Sequence, residues 1–170
     1  MVITLPFADR KGIRIHYEIV GEGPAMVKLP GLGASLEMSR ISGWLNSFPE
    51  YKLISVDPRG HGKSEQPKDP KAHRIEEYRD DVLAVLDTLN IEKVKLLGIS
   101  DGAQIGCAFA STYPDRTSAL IDLDGFDDQD LCDPPVSDGR ISLARTIRSR
   151  GWGTLFGRSL HHVVFRPTLR

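Results

Sequence analysis

Apolar and polar residues follow two different periods along this chain, and the two periods alternate. Residues 2–7 and 13–19 alternate apolar with polar positions on either side of the turn-forming residues 9–12, which predicts an opening β-hairpin. Near-continuous apolar runs then recur, and they are short enough to be buried strands, at residues 25–29, 52–56, 94–97 and 117–125. Such strands, separated by helical segments, are typical of a parallel sheet in an α/β fold.

Helical spacing fills the gaps between these predicted strands. One helix has apolar residues every three or four positions opposite a charged face that we expect to be solvated, at Ile75, Tyr78, Val82, Val85, Leu86 and Leu89. Residues 35–48 have a less regular pattern, which predicts a short helix that Pro49 ends. A helix rich in small residues follows residue 100 and is expected to end near Tyr113 and Pro114.

A serine stands between the strand at residues 94–97 and the next helix, in the pattern G-x-S-x-G from Gly98 to Gly102. A serine hydroxyl needs a base to become a nucleophile, and a sharp turn keeps it within reach of that base. Gly98 and Gly102 would permit a close crossing from strand to helix, and the helix N-terminus would offer N–H groups to an oxyanion. The alternative is that Ser100 only caps the helix.

Two more glycine-rich motifs follow the earlier strands. Pro30-Gly31-Leu32-Gly33 comes after residues 25–29, and Asp57-Pro58-Arg59-Gly60-His61-Gly62-Lys63-Ser64 comes after residues 52–56. Together with the serine turn, these motifs resemble the N-terminal part of the α/β-hydrolase superfamily, which includes serine esterases, lipases and acyl hydrolases. The resemblance covers about residues 10–125 and implies a three-layer α/β/α fold with a mostly parallel sheet, truncated after the strand that follows Ser100.

The resemblance implies roles for single residues in each motif. Ser100 would be the catalytic nucleophile, and the backbone N–H groups of Leu32 and Asp101 would form the oxyanion hole. Pro30 departs from the family's pattern, which often has His there, and the alternative for this motif is an ordinary glycine-rich turn. Arg59 is expected to pair with Asp57 and so hold the second glycine loop near the site.

The rest of a Ser-acid-His triad is harder to place. Asp124 ends the strand after the serine and is the candidate acid, with the alternative that it only bonds nearby backbone. His161 and His162 are the only histidines after it, but they precede an apolar run, whereas the family's histidine follows the last strand. The catalytic histidine therefore stays unknown and is expected beyond Arg170, so that this chain alone would not be a competent hydrolase.

The three remaining histidines are assigned no catalytic role. His16 lies on the polar face of its predicted strand and is expected to face solvent, and His61 occupies the variable position of its motif and is interpreted as a loop histidine. His73 precedes the amphipathic helix and has no partner that the sequence identifies.

Composition and charge narrow the function classes. The 170 residues have a net charge of −1, which offers no basic surface for nucleic acid. The first residues contain neither a charged leader nor a long apolar run, so we expect a cytoplasmic protein without a membrane partner. The two cysteines have neither metal-ligand nor disulfide spacing, and the sequence implies no metal and no cofactor.

Charge also divides the chain in two. Residues 1–130 have a net charge of −6 and residues 131–170 one of +5. We assign residues 1–130 to the hydrolase core, and residues 131–170 to the start of a lid segment, a basic tail or an altered terminus. The strand at 117–125 would then end the sheet with an unpaired apolar edge, which favours self-association.

The predicted function is hydrolysis of a small carbonyl substrate, an ester, amide or thioester, through a serine acyl-enzyme. The Asp101 carboxylate either provides a favourable charge at a helix N-terminus or attracts an ammonium group of the substrate. The alternatives are a relative that binds a ligand without turnover, and an inactive fragment of a longer hydrolase.

Overall fold

A computed structural model describes residues 6–123 and the backbone of residues 163–167. The strands are β1 (Phe7–Arg10), β2 (Ile13–Val20), β3 (Ala25–Leu29), β4 (Lys52–Val56), β5 (Val94–Ile99), β6 (Thr117–Leu123) and β7 (Val163–Pro167). The α-helices are α1 (Leu36–Ile41), α2 (Ile75–Thr88) and α3 (Asp101–Thr112). Short 3-10 turns lie at Trp44–Asn46, Pro70–His73 and Pro114–Arg116. The predicted alternation of strands and helices is confirmed.

The described strands form one mixed sheet in the order β1-β2-β4-β3-β5-β6-β7. Its centre, β4-β3-β5-β6, is parallel, because each crossover returns the chain to the same end of the sheet. β1 and β2 form the predicted antiparallel hairpin and join the sheet through an antiparallel pairing of β2 with β4. The chain reverses its direction of winding at β3, so the crevice beyond the carboxyl ends of β3 and β5 is a topological switch point, where α/β sheets place ligands.

Two apolar clusters lie on opposite faces of the sheet, because successive residues of a strand point to opposite sides. Val27, Ile54 and Leu96 pack with α2 and α3 on one face. Their neighbours Met26, Leu53 and Leu97 pack with Leu36 and Leu45 on the other face. These layers are the predicted three-layer α/β/α arrangement.

Three details of the fold differ from the sequence predictions. The expected helix over residues 35–48 is two short pieces, since Gly43 adopts a φ of 80° between α1 and the 3-10 turn at Trp44–Asn46. The charged face of α2 is not simply solvated, because Glu77, Asp80 and Asp81 form ion pairs with arginines. The strand after Ser100 does not end the sheet unpaired: β7 pairs antiparallel with β6 from Ala119 to Leu123.

The remaining predictions about the C-terminal region lie outside the described residues, including the boundary at residue 130 and the nature of residues 131–162 and 168–170. Within the described ranges, no helix is both long enough and apolar enough to cross a bilayer.

Candidate active site

Ser100 occupies a strained turn between β5 and α3. Its backbone has φ 52° and ψ −120°, a conformation that an L-residue rarely adopts and that surrounding structure must hold in place. Two backbone hydrogen bonds do so: the Ser100 N–H donates to Leu123 O at 2.9 Å, and the Ala103 N–H donates to Ser100 O at 2.8 Å. Ser100 makes no side-chain capping bond to α3, which counts against the alternative that it only caps the helix.

The flanking glycines make this turn sterically feasible. A Cβ on Gly98 would come within 3.0 Å of the backbone of Gly102 and Ala103, and one on Gly102 would come within 3.0 Å of the backbone of Leu29 and Pro30. Real Cβ atoms essentially never approach other atoms so closely, so both positions require glycine. The G-x-S-x-G spacing thus has a steric cause, as the sequence predicts.

The loop after β3, residues 30–34, lies beside this serine, and we call it the oxyanion loop. A Cβ added to Gly31 would lie 3.3 Å from Ser100 Cβ and 3.4 Å from Ile99 O. The Gly31–Leu32 peptide is therefore next to the serine turn. Within residues 6–123, neither Leu32 N–H nor Asp101 N–H donates to a backbone carbonyl. Pro30 does not disrupt the loop, which an Ala34 N–H to Gly31 O bond of 3.1 Å closes.

Asp57 begins the second glycine loop, residues 57–64, which we call the scaffold loop. The expected pair of Arg59 with Asp57 is wrong. Arg59 instead makes a bidentate contact with Asp81 on α2, through Nε to Oδ2 at 2.7 Å and Nη2 to Oδ1 at 2.5 Å. Asp57 accepts hydrogen bonds from the Leu36 N–H at 2.6 Å and the Lys63 N–H at 3.1 Å. Arg59 therefore ties the scaffold loop to α2, while Asp57 ties it to α1.

His16 is also not where the sequence suggests, since its side chain is buried and not solvent-facing. Its Nδ1 lies 2.7 Å from Asp57 Oδ2, and its ring packs against Phe7 at a centroid distance of 5.3 Å. His16 is buried because of where its strand lies. β2 lies between β1 and β4, and the scaffold loop covers its polar face at His16. Ser64 Oγ of that loop accepts a hydrogen bond from the His16 N–H at 2.8 Å.

His61 and His73 each use both ring nitrogens. His61 lies in the scaffold loop, as predicted, with Nε2 3.1 Å from Gly33 N and Nδ1 3.1 Å from Arg59 O. His73, for which the sequence identified no partner, contacts the Tyr78 hydroxyl at 3.0 Å and Pro67 O at 2.9 Å. Among the described hydrogen bonds, none joins a histidine to Ser100.

A cavity of about 290 Å³ opens at the carboxyl edge of the sheet, beside the oxyanion loop and the start of α3. Its polar lining includes Asp101, Gln104 and Tyr78. Burial raises the pKa of the Tyr78 hydroxyl, and among the nearby charges Arg59 lowers it while Asp81 and Asp101 raise it further. The remaining lining residues are mostly apolar or imidazole groups: Pro30, Gly31, Leu32, Pro58, His61, His73, Ile75 and Ile105.

Three further predictions concern residues or ligands that complete a site. The proposed acid Asp124 and the histidines His161 and His162 lie outside the described residues. Within the described residues, no group of three His, Cys, Asp or Glu side chains could hold a metal ion. The structure therefore brings together Ser100, the oxyanion loop and Asp101, and it leaves the acid and base undescribed.

Sequence reasoning missed two buried charges in the elements that support this site. Asp81 of α2, to which the sequence assigned no role, is buried against Arg59, and burial raises the pKa of its carboxyl more than Arg59 lowers it. Lys28, a cation inside the apolar run of β3, is buried, and burial lowers the pKa of its ammonium to about 8. The lysine within an otherwise apolar strand is the sequence signal that could have identified it.

Comparison with known proteins identifies the family to which this architecture corresponds. The family profile described as alpha/beta hydrolase fold matches residues 24–141. A putative 2-succinyl-6-hydroxy-2,4-cyclohexadiene-1-carboxylate synthase of Bacillus subtilis (strain 168) is 33% identical over 114 residues, which are 63% of this chain and 40% of that protein. Epoxide hydrolase 3 of Siraitia grosvenorii is 35% identical over 115 residues, which are 68% of this chain and 36% of that protein.

A solved structure shares the fold as well. The enol-lactonase from Burkholderia xenovorans LB400 superposes with a TM-score of 0.61 at 35% sequence identity, over 66% of this chain and 44% of that one. The chain thus spans less than half the length of these relatives. The profile match covers most of the chain and agrees with the sheet order, the strained serine turn and the layers described above, and so the chain belongs to the α/β hydrolase fold family.

Proposed function

We propose that Ser100 is the nucleophile of a hydrolase that cleaves a small carbonyl substrate, an ester, amide or thioester, through an acyl-enzyme. The observation that carries the proposal is the backbone of Ser100, which has φ 52° and ψ −120° at the end of a central parallel strand. Strain of this kind costs about 1–3 kcal/mol, persists only where the surrounding structure holds it, and is concentrated at active sites. A helix cap would need no such conformation.

The chemistry needs a proton acceptor and a binding site for negative charge. A histidine supplied from outside the described residues takes the Ser100 proton as Oγ bonds to the carbonyl carbon, and it then protonates the leaving group as that group's bond to carbon breaks. Water hydrolyses the resulting ester by the same steps in reverse order. Asp124 is the candidate acid that orients the histidine, and this assignment rests on its place after β6.

The oxyanion is stabilised by the backbone N–H groups of Leu32 and Asp101. Support comes from the packing of Gly31 against Ser100, which brings the oxyanion loop to the serine, and from the place of Asp101 as the first residue of α3. Two such donors, when they are oriented before the substrate binds, stabilise the charge that develops on the carbonyl oxygen. Removing one donor of this type costs about 10²–10³ in kcat.

We further infer that the Asp101 carboxylate binds a substrate ammonium group. Asp101 lines the cavity beside the oxyanion loop, and its charge contributes to the raised pKa of Tyr78, which lines the same cavity. The alternative, a favourable charge at the start of α3, needs no ligand. Lactones are cyclic esters, so the likeness to the enol-lactonase supports carbonyl hydrolysis, whereas the likeness to an epoxide hydrolase leaves the substrate class open.

Labelling with a fluorophosphonate probe tests the nucleophile. In a chain that has its base, Ser100 reacts and Ser100→Ala does not, while the matched variant Ser111→Ala on the exposed side of α3 keeps labelling. Hydrolysis of p-nitrophenyl acetate is lost in Ser100→Ala and kept in Ser111→Ala. Full activity of Ser100→Ala would refute the proposal, and binding of ligands without any labelling would favour a non-catalytic relative.

A separate comparison tests the ammonium site at Asp101. If an aminoacyl ester and its des-amino analogue are hydrolysed with equal kcat/KM, the ammonium site is excluded.

A further inference from the structure

Two hydrogen bonds connect the oxyanion loop and the chain just after it to the scaffold loop. The Gly33 N–H donates to His61 Nε2 at 3.1 Å, and the Leu36 N–H donates to Asp57 Oδ1 at 2.6 Å. The first of these bonds lies one residue beyond Leu32, whose N–H is a proposed oxyanion donor. The position of that donor therefore depends on the scaffold loop and on His61 in particular.

The His61 ring is itself held in one orientation. Arg59 O, 3.1 Å from Nδ1, can only accept, so Nδ1 carries the proton. The Gly33 N–H can only donate, so Nε2 must offer its lone pair. The backbone around the ring is fixed as well, since the His61 N–H donates to Pro58 O at 2.9 Å and His61 O accepts from the Ser64 N–H at 3.0 Å. The geometry thus requires a neutral His61 with its proton on Nδ1.

The base of the scaffold loop adds rigidity. Arg59 is buried and makes a bidentate contact with Asp81, so the carbonyl that orients His61 belongs to a residue anchored on α2. Gly62 is also confined, because a Cβ there would come within 3.0 Å of the Asp57 side chain. A displacement of the loop would break several buried contacts at once, whereas the oxyanion loop is exposed at Leu32 and Gly33. The scaffold loop is therefore the fixed partner of the two.

We propose that His61 is a positioning residue that holds the Leu32 N–H in its oxyanion-binding position, and that protonation of His61 releases it. A doubly protonated imidazole has no lone pair at Nε2, so its N–H would face the Gly33 N–H and the bond would be lost. This inference rests on the proposed function, because the oxyanion loop matters only if Ser100 attacks a carbonyl. It predicts a loss of activity at acid pH that is separate from titration of the catalytic base.

The charged and titratable groups around the ring come from three parts of the chain. Asp101 at the start of α3, His73 in the turn before α2 and Tyr78 in α2 line the same cavity as His61, and Arg59 of the scaffold loop contacts the ring through its carbonyl. His73 is the second imidazole of the cavity, but its nitrogens contact Tyr78 and Pro67 and not the oxyanion loop. A substitution of His73 therefore serves as the control for a substitution of His61, since it changes the cavity without removing a hydrogen bond to the oxyanion loop.

Two variants of the full-length protein separate acceptance of the hydrogen bond from titration. His61→Phe keeps a planar ring but cannot accept from Gly33, and we expect it to lower kcat at neutral pH about tenfold or more, up to the roughly 10²–10³ loss that follows removal of an oxyanion donor, with KM little changed. His61→Gln offers an amide oxygen that cannot be protonated in this way, so we expect near wild-type kcat and a weaker loss of activity on acidification. His73→Phe changes the cavity, so any effect should appear in KM.

A second measurement does not depend on activity. In the wild-type ¹H–¹⁵N spectrum, the Gly33 amide resonance should shift as His61 is protonated, and in His61→Gln it should not. If Ser100→Ala abolishes hydrolysis while His61→Phe keeps the wild-type kcat and pH profile, the inference about His61 is overturned and the proposed function stands. If neither the wild type nor any variant hydrolyses esters or is labelled at Ser100, the proposed function fails. If the Gly33 amide resonance of the wild type does not shift with pH, the inference about the His61 bond is overturned as well.

Discussion

At the scale of single residues, Lys28 is a buried cation whose partners are neutral. Its Nζ donates to Ser39 Oγ at 2.7 Å and lies 5.3 Å from the centroid of the Trp44 ring. None of the ion pairs within residues 6–123 includes this ammonium. A hydroxyl and an aromatic face compensate only part of the free energy lost when the charge leaves water. The buried ammonium of Lys28 therefore lowers the free energy of unfolding, by an amount that depends on pH.

We predict that the free energy of unfolding rises between pH 7.5 and pH 9.5. Burial lowers the pKa of Lys28 from 10.5 to about 8, so the unfolded chain binds this proton more tightly and stability increases as pH rises through that interval. The full effect is roughly 3 kcal/mol at 1.36 kcal/mol per pKa unit, and about half of it falls between pH 7.5 and pH 9.5. Above pH 10 the sign reverses, because burial raises the pKa values of Tyr17, Tyr78 and Tyr113.

Urea unfolding at the two pH values measures this slope. Lys28→Met should be more stable than wild type at pH 7.5 and should lose the rise, because it removes the buried ammonium while it keeps the volume. Lys52→Met, at the half-buried start of β4, should keep the rise. An unchanged slope in Lys28→Met would mean that other groups cause it.

At the scale of elements, arginines join the charged face of α2 to two other parts of the chain. Arg10 at the end of β1 contacts Glu77 and also Asp80 at 2.8 Å, and Arg59 of the scaffold loop contacts Asp81. The helix therefore serves as a common support for the hairpin and for the loop that carries His61. Its acidic residues are spaced at the helical period, so the sequence shows a charged face, but only the packing shows what that face contacts.

Breaking the buried pair should be costly. Arg59→Met leaves the Asp81 carboxylate buried with only Arg10 nearby, at 3.8 Å, and we expect a loss of roughly 3 kcal/mol in the free energy of unfolding. The double variant Arg59→Met with Asp81→Leu should recover much of that loss, because no buried charge remains.

The exposed pair of Arg14 with Glu65 provides the control for this experiment. Arg14→Met should change stability by less than about 1 kcal/mol. Denaturant unfolding monitored by circular dichroism measures all four proteins. A double variant no more stable than Arg59→Met would contradict the account of Asp81 as the cause.

At the scale of the whole molecule, β7 decides what lies at one edge of the sheet. It covers β6, whose apolar sequence Ala119-Leu120-Ile121 would otherwise be an open template for another chain. The new edge ends in Arg166 and Pro167, residue types that discourage further pairing. Self-association through the sheet edge is therefore expected only where β7 is removed.

Deletion of residues 163–170 tests this expectation. We predict that the shortened chain forms dimers or larger species through β6, whereas a chain that lacks only residues 168–170 keeps β7 and elutes as the parent does. Size-exclusion chromatography with light scattering distinguishes the two. Identical elution of both shortened chains would show that β7 does not protect the edge.

The order of strands and helices could be predicted from the sequence because it depends on local periodicity. The strands β3, β4, β5 and β6 lie at the apolar runs of the sequence. The glycines around Ser100 indicate a tight turn, because the steric contacts that require glycine lie close to the turn. The profile match confirms the family that these motifs indicated. The break at Gly43 was missed because one glycine does not by itself end a helical pattern.

Contacts between distant residues were decided by the tertiary structure alone. The sequence suggested Asp57 as the partner of Arg59 because it is only two residues away, but the docking of α2 brings Asp81 to Arg59 from 22 residues away. The same polar alternation that predicted an exposed His16 holds in β2, but the scaffold loop covers that face and buries the ring. The sequence by itself determined which segments become strands, helices and the serine turn, since local sterics and hydrophobic period act along the chain. Partners and burial depend on which surfaces meet in space.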